Sequence, residues 1–254
     1  MRSNQAVRVR GGFTLVEMIV TICVISLLMM IAMPGLVQLF RSGADAQAYN
    51  IASTELVNAR VNALQKGLYS GVHFQAGDAQ PGRGQNFYAA VVDNHVESTT
   101  TTTTPVSTFR LASGYMMQEL PGRIAVGQAT SEFVDNSGNY TGDFSDTNLP
   151  NFTSLTVVFG PQGSLVQTIP DATTGAPKPI LFDVTADLFA GAQPLWLAAT
   201  ANGTGTGKNG VSAVCLFDYI TLRSWEVGKR KDYLTQFAQV LPVNMYTGQL
   251  YERK

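Results

Sequence analysis

Cysteine, histidine and any excess of one charge are what this chain has least of, and each shortage narrows the chemistry open to it. The 254 residues hold two cysteines, Cys23 and Cys215. Cys23 falls in an apolar run and Cys215 in a predicted strand, so no intramolecular disulfide is expected even in an oxidising compartment. Cys215, between Val214 and Leu216, reads as a small core residue rather than a nucleophile. His73 and His95 are the only histidines, and neither has a nucleophile or metal-ligand spacing beside it. His73 alternates with Val72 and Phe74 in a predicted strand and reads as a surface or packed side chain. An enzyme is therefore not expected, and no cofactor is implied. With 17 basic and 18 acidic residues, the chain also lacks the global charge of a nucleic-acid binder.

What the chain does have is an apolar run near its start. From Phe13 to Met33 only Thr14, Glu17, Thr21 and Ser26 are polar. As a helix this stretch reaches roughly the 30 Å of a bilayer's hydrocarbon core. It is too long for the apolar part of a secretory signal, and no small-x-small cleavage site follows it. Arg2, Arg8 and Arg10 precede it with no acid among them, which predicts a cytoplasmic N-terminus and a remainder across the membrane. An ordinary single-pass anchor would satisfy the same length. Glu17 is the anomaly, because a carboxylate one turn inside such a helix costs a few kcal/mol and calls for a partner. A carboxylate near the interface that reaches back to headgroups is the alternative. Pro34 and Gly35 break the pattern, so a kink or local melting is expected there, or simply the end of the span.

Those residues carry a resemblance. The basic leader ending in Gly12, the start Phe13-Thr14-Leu15-Val16-Glu17 and Pro34 resemble the type IV prepilin-like family, which includes pilins and the pseudopilins of type II secretion. The resemblance implies cleavage between Gly12 and Phe13 by a prepilin peptidase and N-methylation of the new Phe13 amine. It also implies that Glu17 pairs with that amine on a neighbouring subunit. Cutting creates the cation, so processing and assembly are coupled. Loss of Arg2, Arg8 and Arg10 would leave 14 basic against 18 acidic residues.

Beyond the proline, residues 36–66 read as a continuing helix. Val57, Val61, Leu64 and Leu68 form an apolar stripe, with Ala52, Leu56, Ala59 and Ala63 as an adjoining row. Glu55 and Asn58 are placed largely elsewhere, and the stripe is expected to pack on the domain's own sheet. Gly67 supplies a stop. After it the texture turns to β, with strands predicted at 69–75, 87–92, 154–159, 164–169, 179–184 and 211–222. Phe159-Gly160-Pro161-Gln162-Gly163-Ser164 reads as a hairpin loop. The threonine run Thr99–Thr104 and the stretch Asn202–Gly210 read as loops.

The organisation expected is a leader over 1–12, a transmembrane helix over 13–34, an amphipathic continuation over 35–67 and a β-rich domain over 68–254. The fold class is α+β, a long N-terminal helix packed on an antiparallel β-sheet or β-sandwich. Asn58-Ala59-Arg60-Val61-Asn62-Ala63, Val72-His73-Phe74, Val158–Gly163, Leu241-Pro242-Val243 and Thr247-Gly248 resemble the minor-pseudopilin and minor-pilin group GspH/FimT. That resemblance implies a pilin-like subunit of the bacterial inner membrane, with its domain in the periplasm. The partners implied are other pilin or pseudopilin subunits and secreted cargo. A second class stays open, DNA or cargo binding at a fibre tip, through Arg223, Lys229, Arg230 and Lys231 near Trp225 and Tyr233. Glu226, Asp232 and Glu252 interleave that patch, and a solvated mixed-charge face is favoured over nucleic acid. Asp135, Asn139, Asp143 and Asp146 resemble a calcium loop in composition only, and an Asn/Asp/Gly turn is favoured.

Overall fold

The computed structural model describes residues 14–76, 86–96, 107–130, 133–135, 137, 139–170, 175, 177–178, 181–182 and 210–251. Two compact units divide at Gly43, the first Met1–Gly43 and the second Ala44–Lys254. One helix, α1 (Leu15–Lys66), contributes to both. The predicted segments 13–34 and 35–67 are thus a single element. Its backbone is helical through Pro34 and Gly35, so the local melting expected there is not seen. A proline forfeits one backbone bond, and the turns on either side of it stay helical.

In the first unit, Leu15–Met33 is apolar and exposed all round, and long enough to cross a membrane. A helix apolar on every face is matched to lipid or a protein interior, because its backbone bonds are satisfied within itself. Water would leave those side chains exposed at a large cost.

The second unit begins with the rest of α1. Its buried face is the alanine row: Ala48, Ala52, Leu56, Ala59 and Ala63 are fully buried. The valine-leucine stripe is not the packed face, since Val61 and Leu64 are 37% and 46% exposed. Alanine lets a helix axis approach its neighbours closely, and close packing outweighs side-chain size here. Glu55, placed outside by the sequence pattern, is buried on the same face, and so is Asn62. The Asn62 amide donates to the Ser70 hydroxyl, which donates to the Val92 carbonyl, so that polar group is satisfied at depth. Burial raises the Glu55 carboxyl above its ordinary range. The helix ends as predicted at Gly67, whose φ of 65° lets its N–H reach the Ala63 carbonyl.

The strands are β1 (Ser70–Ala76), β2 (Phe87–Val96), β3 (Ser107–Leu111), β4 (Gln118–Glu119) and β5 (Ile124–Gln128). After a short helix α2 (Leu149–Thr153) come β6 (Leu155–Phe159), β7 (Leu165–Val166), β8 (Ile169–Pro170), β9 (Pro177–Lys178) and β10 (Leu181–Phe182). The chain closes with β11 (Ala213–Asp218), α3 (Tyr219–Ser224), a 3-10 turn (Val227–Lys229), α4 (Arg230–Phe237) and β12 (Gln239–Pro242). The main sheet runs β10-β3-β2-β1-β6-β7, with β4 also on β2. A second sheet runs β12-β11-β5, and β8 pairs with β9. Among the described residues every pairing is antiparallel except the two-residue β10–β3 contact. The class is α+β, as expected.

β1 is buried along its length to Gln75, so both sheet faces are covered. One face joins Val72 and Phe74 to the α1 row in the main core, and the other gathers Val92, Phe109 and Val158. The predicted hairpin is present between β6 and β7. Gly160 donates to the Ser164 carbonyl, and Gly163 takes a φ of 73°. Two strand predictions needed correction. Residues 164–169 split between β7 and β8, and 211–222 is a strand only over Ala213–Asp218, where the Asp218 carboxylate accepts from the Thr221 N–H and starts α3.

The buried alanine row generates a direct test. Ala59→Leu is expected to cost about 1–3 kcal/mol in denaturant unfolding of the full chain, through overpacking. Val61→Ser on the exposed stripe should stay within about 0.5 kcal/mol. Equal effects at the two positions would reverse the assignment of the packed face.

Candidate functional site

The start of α1 and the C-terminal cationic segment are the two candidate sites. Gly12 and Phe13, the expected cleavage pair, lie outside the described residues. Thr14 and Glu17 are described, and both are exposed. Because α1 begins at Leu15, Thr14 stands at its N-cap and its hydroxyl accepts from the Glu17 N–H at 3.3 Å. The Thr21 hydroxyl donates to the Glu17 carbonyl. From Thr14 to Phe40, Glu17 is the only charged side chain. The carboxylate thus sits in the first turn, where the unpaired N–H groups of the helix favour negative charge. Sequence reasoning missed Thr14, although Thr-x-x-Glu before an apolar run is the spacing of a capping box. Pro34 is helical in its backbone.

The four cations fall into different environments. Arg230 is buried, with its side chain only 4% exposed, and one of its nitrogens donates to the Asp146 carboxylate and the Phe144 carbonyl, both at 2.9 Å. Its other nitrogens reach the carbonyls of Trp225 and Arg223. Arg230 therefore ties the loop around Phe144–Asp146 to the turn before α4. Arg223 shares Asp146 at 3.5 Å and lies over the Tyr219 ring, while Lys229 pairs with Glu226 at 3.2 Å. Lys231 is exposed. The structure brings Arg223 and Arg230 together on one acid, and it does not array the four cations on one open face.

The aspartates of 135–146 are spoken for locally. Asp135 accepts from the N–H groups of Ser137 and Asn139, an Asx turn. Asp143 accepts from the Ser145 N–H and from the Asn148 amide, and that backbone bond leads the effects that lower its carboxyl below its ordinary range. Asp146 serves the arginines. These acids face separate tasks rather than one centre.

His73 is fully buried in the middle of β1, which corrects any surface reading. Its Nε2 lies 2.9 Å from Gln75 Oε1 and its Nδ1 2.9 Å from the Thr156 hydroxyl. Both ring nitrogens thus have polar partners inside the sheet. Burial holds the imidazole neutral, with its pKa lowered to about 4. Thr156 is as buried as its partner, so this hydroxyl–imidazole pair has no path for a substrate. Cys215 is fully buried, and burial pushes its thiol up to about 12, the state of an inert core residue.

Two measurements check these assignments. Arg230→Ala is expected to cost about 2–4 kcal/mol of unfolding free energy, since it leaves buried carbonyls without a donor. Lys231→Ala should change stability by less than about 0.5 kcal/mol. For His73, the unfolded chain binds a proton more tightly than the fold does. Stability is expected to fall as pH drops from about 6.5 toward 4, by an amount on the order of 3 kcal/mol, and this group adds no further loss below that. His73→Gln should flatten the slope in a pH series of thermal melts.

Compared with known proteins, the chain matches no family model, no curated protein and no solved structure.

Proposed function

We propose that this chain is a minor pilin or pseudopilin, a structural subunit of a type IV pilus or of a type II secretion pseudopilus. It is stored as a single-pass precursor in the bacterial inner membrane, N-terminus in the cytoplasm and β-rich domain in the periplasm. Prepilin peptidase cuts between Gly12 and Phe13 and methylates the Phe13 amine. Assembly then stacks α1 against the helices of other subunits, and head-to-tail contacts that do not close generate an open fibre. The role is non-enzymatic and needs no cofactor.

One observation carries this reading. A single helix runs from a fully exposed apolar stretch, with one carboxylate in its first turn, to a row of alanines buried in an α+β domain. An ordinary anchor explains the apolar stretch but gives Glu17 no partner. A neighbour's free Phe13 amine supplies one, and only after the leader is removed. DNA capture through the C-terminal cations is not favoured, because Arg230 is spent inside the fold.

The test is an intact-mass measurement on protein purified from cells with and without prepilin peptidase. The mature chain should begin at Phe13 and carry one extra methyl group only where the enzyme is present. Glu17→Ala should be cut normally yet enter fibres roughly tenfold or more less efficiently, as the loss of a charge pair in an apolar setting demands. A chain that keeps its leader beside active peptidase, or a mutant that assembles normally, would refute the reading.

A further inference from the structure

The buried stripe of α1 carries an acid at its middle. Ala48, Ala52, Glu55, Ala59 and Asn62 recur at +4, +3, +4 and +3, so they share one side of the helix, and all five are buried. Asn62 has the Ser70 hydroxyl as its partner. Glu55 is served less well. Its carboxyl accepts from the Asn58 amide on its own helix, while among the described residues its Oε2 is buried and meets no donor. The titratable groups of the elements packed on this half of α1 are engaged elsewhere. Lys66 pairs with Asp93 of β2 at 2.8 Å, Arg60 donates to the Gly163 carbonyl and the Tyr49 hydroxyl to the Leu250 carbonyl. His95 follows Asp93 by two residues on β2. His73 of β1 alternates with Val72 and Phe74, so it points away from the helix, toward Thr156. Asp218, at the end of β11, pairs with Arg123 and faces Asp45, ten residues before Glu55. The hairpin of residues 155–166 and the C-terminal turn of residues 243–250 contain no charged residue. Among the described groups no cation faces the Glu55 carboxyl.

We propose that Glu55 is a proton-operated clasp on the contact between the second half of α1 and its strands. With the proton on, a neutral acid lies in the buried stripe and the helix stays closed. When the proton passes to water, an ionised oxygen without a partner is left at that depth, and the stripe loosens from Ala48 to Asn62. An unpaired carboxylate costs far more in an apolar contact than the neutral acid does, and no cation is at hand to offset it. Ala52 and Ala59, one turn to either side, keep the helix close to the strands and so keep the carboxyl at depth. Burial raises the Glu55 carboxyl above its ordinary range, the direction such a clasp requires. The fold therefore binds this proton more tightly than the unfolded chain does. The contact is strongest below the ordinary glutamate range, weakens as pH rises, and levels off once the carboxyl is ionised in the fold too. His73 acts in the opposite sense, weakening the fold as pH falls. The clasp requires neither the membrane span nor a fibre, since the whole contact lies in the second unit.

The test is hydrogen exchange on the full chain in detergent micelles. It is read on peptides covering residues 48–63, from about pH 4 to about pH 8, with the chemical exchange rate at each pH divided out. The opening constant of the wild type is divided by that of Glu55→Gln, whose amide has the shape of the neutral acid and cannot ionise. The quotient cancels every other titration, His73 included. It should climb about fivefold or more from its acid value and then reach a plateau. Glu55→Leu is a second variant, apolar and of similar size, which should hold the same peptides closed at about pH 8 better than the wild type does. If Glu55→Gln does not fold, the quotient is taken against Glu55→Leu. A flat quotient means that the Glu55 proton has no hold on the contact, and one that falls as pH rises gives it the opposite sign. Either result would overturn the clasp.

Discussion

Close approach of the second half of α1 to the strands is the contact on which the β-rich fold depends. Ala48, Ala52, Ala59 and Ala63 end at Cβ, so the helix lies tight against the core, with Leu56 filling the remaining space. Bonds at intervals along the helix then reach distant parts of the chain. The Tyr49 hydroxyl donates to the Leu250 carbonyl, Arg60 to the Gly163 carbonyl and Lys66 to the Asp93 carboxylate. Helix, hairpin, central strand and C-terminal turn are thereby fixed to one rod. A larger residue in the row would push the rod away and loosen all of these ties together.

The two halves of α1 differ in composition. Lipid accepts any large apolar side chain on any face, and Leu15–Met33, rich in Leu, Ile, Val and Met all round, has a composition matched to it. A packed domain accepts one narrow face, so the second half carries small residues on that face and polar ones on most of the others. Gly43, where the two units divide, falls between these regimes.

The parts legible in the sequence were those governed by local rules. The apolar run, the stop at Gly67, the glycine-bearing hairpin and the small core thiol follow from composition and backbone chemistry within a few residues. The alanine row was visible as a row but not as the packed face, because a periodic search weighs side-chain size, whereas packing here rewards its absence. Strand β11 was overextended because Tyr219–Leu222 is apolar enough for a strand; one capping aspartate decides otherwise. Arg230 looked like a surface cation because its acceptors include the Phe144 carbonyl, far away in sequence. Burial of a charge depends on such distant partners, and no local pattern announces them. At the candidate site, Glu17 stood out by its isolation in an apolar run. Thr14 did not, although its spacing to Glu17 was readable. His73 was read as surface or packed because alternation assumes one wet face, and β1 has none.

The two thiols differ as much as their settings. Cys23 is exposed on the apolar stretch of α1, while Cys215 lies at full depth in β11 between Gly127 and Val240 of the adjoining strands. An alkylating label such as a maleimide would mark Cys215 only when the core opens. The natural protein, without any engineering, thus carries a built-in timer: the rate at which its second sulfhydryl becomes modified reports how often the interior breathes.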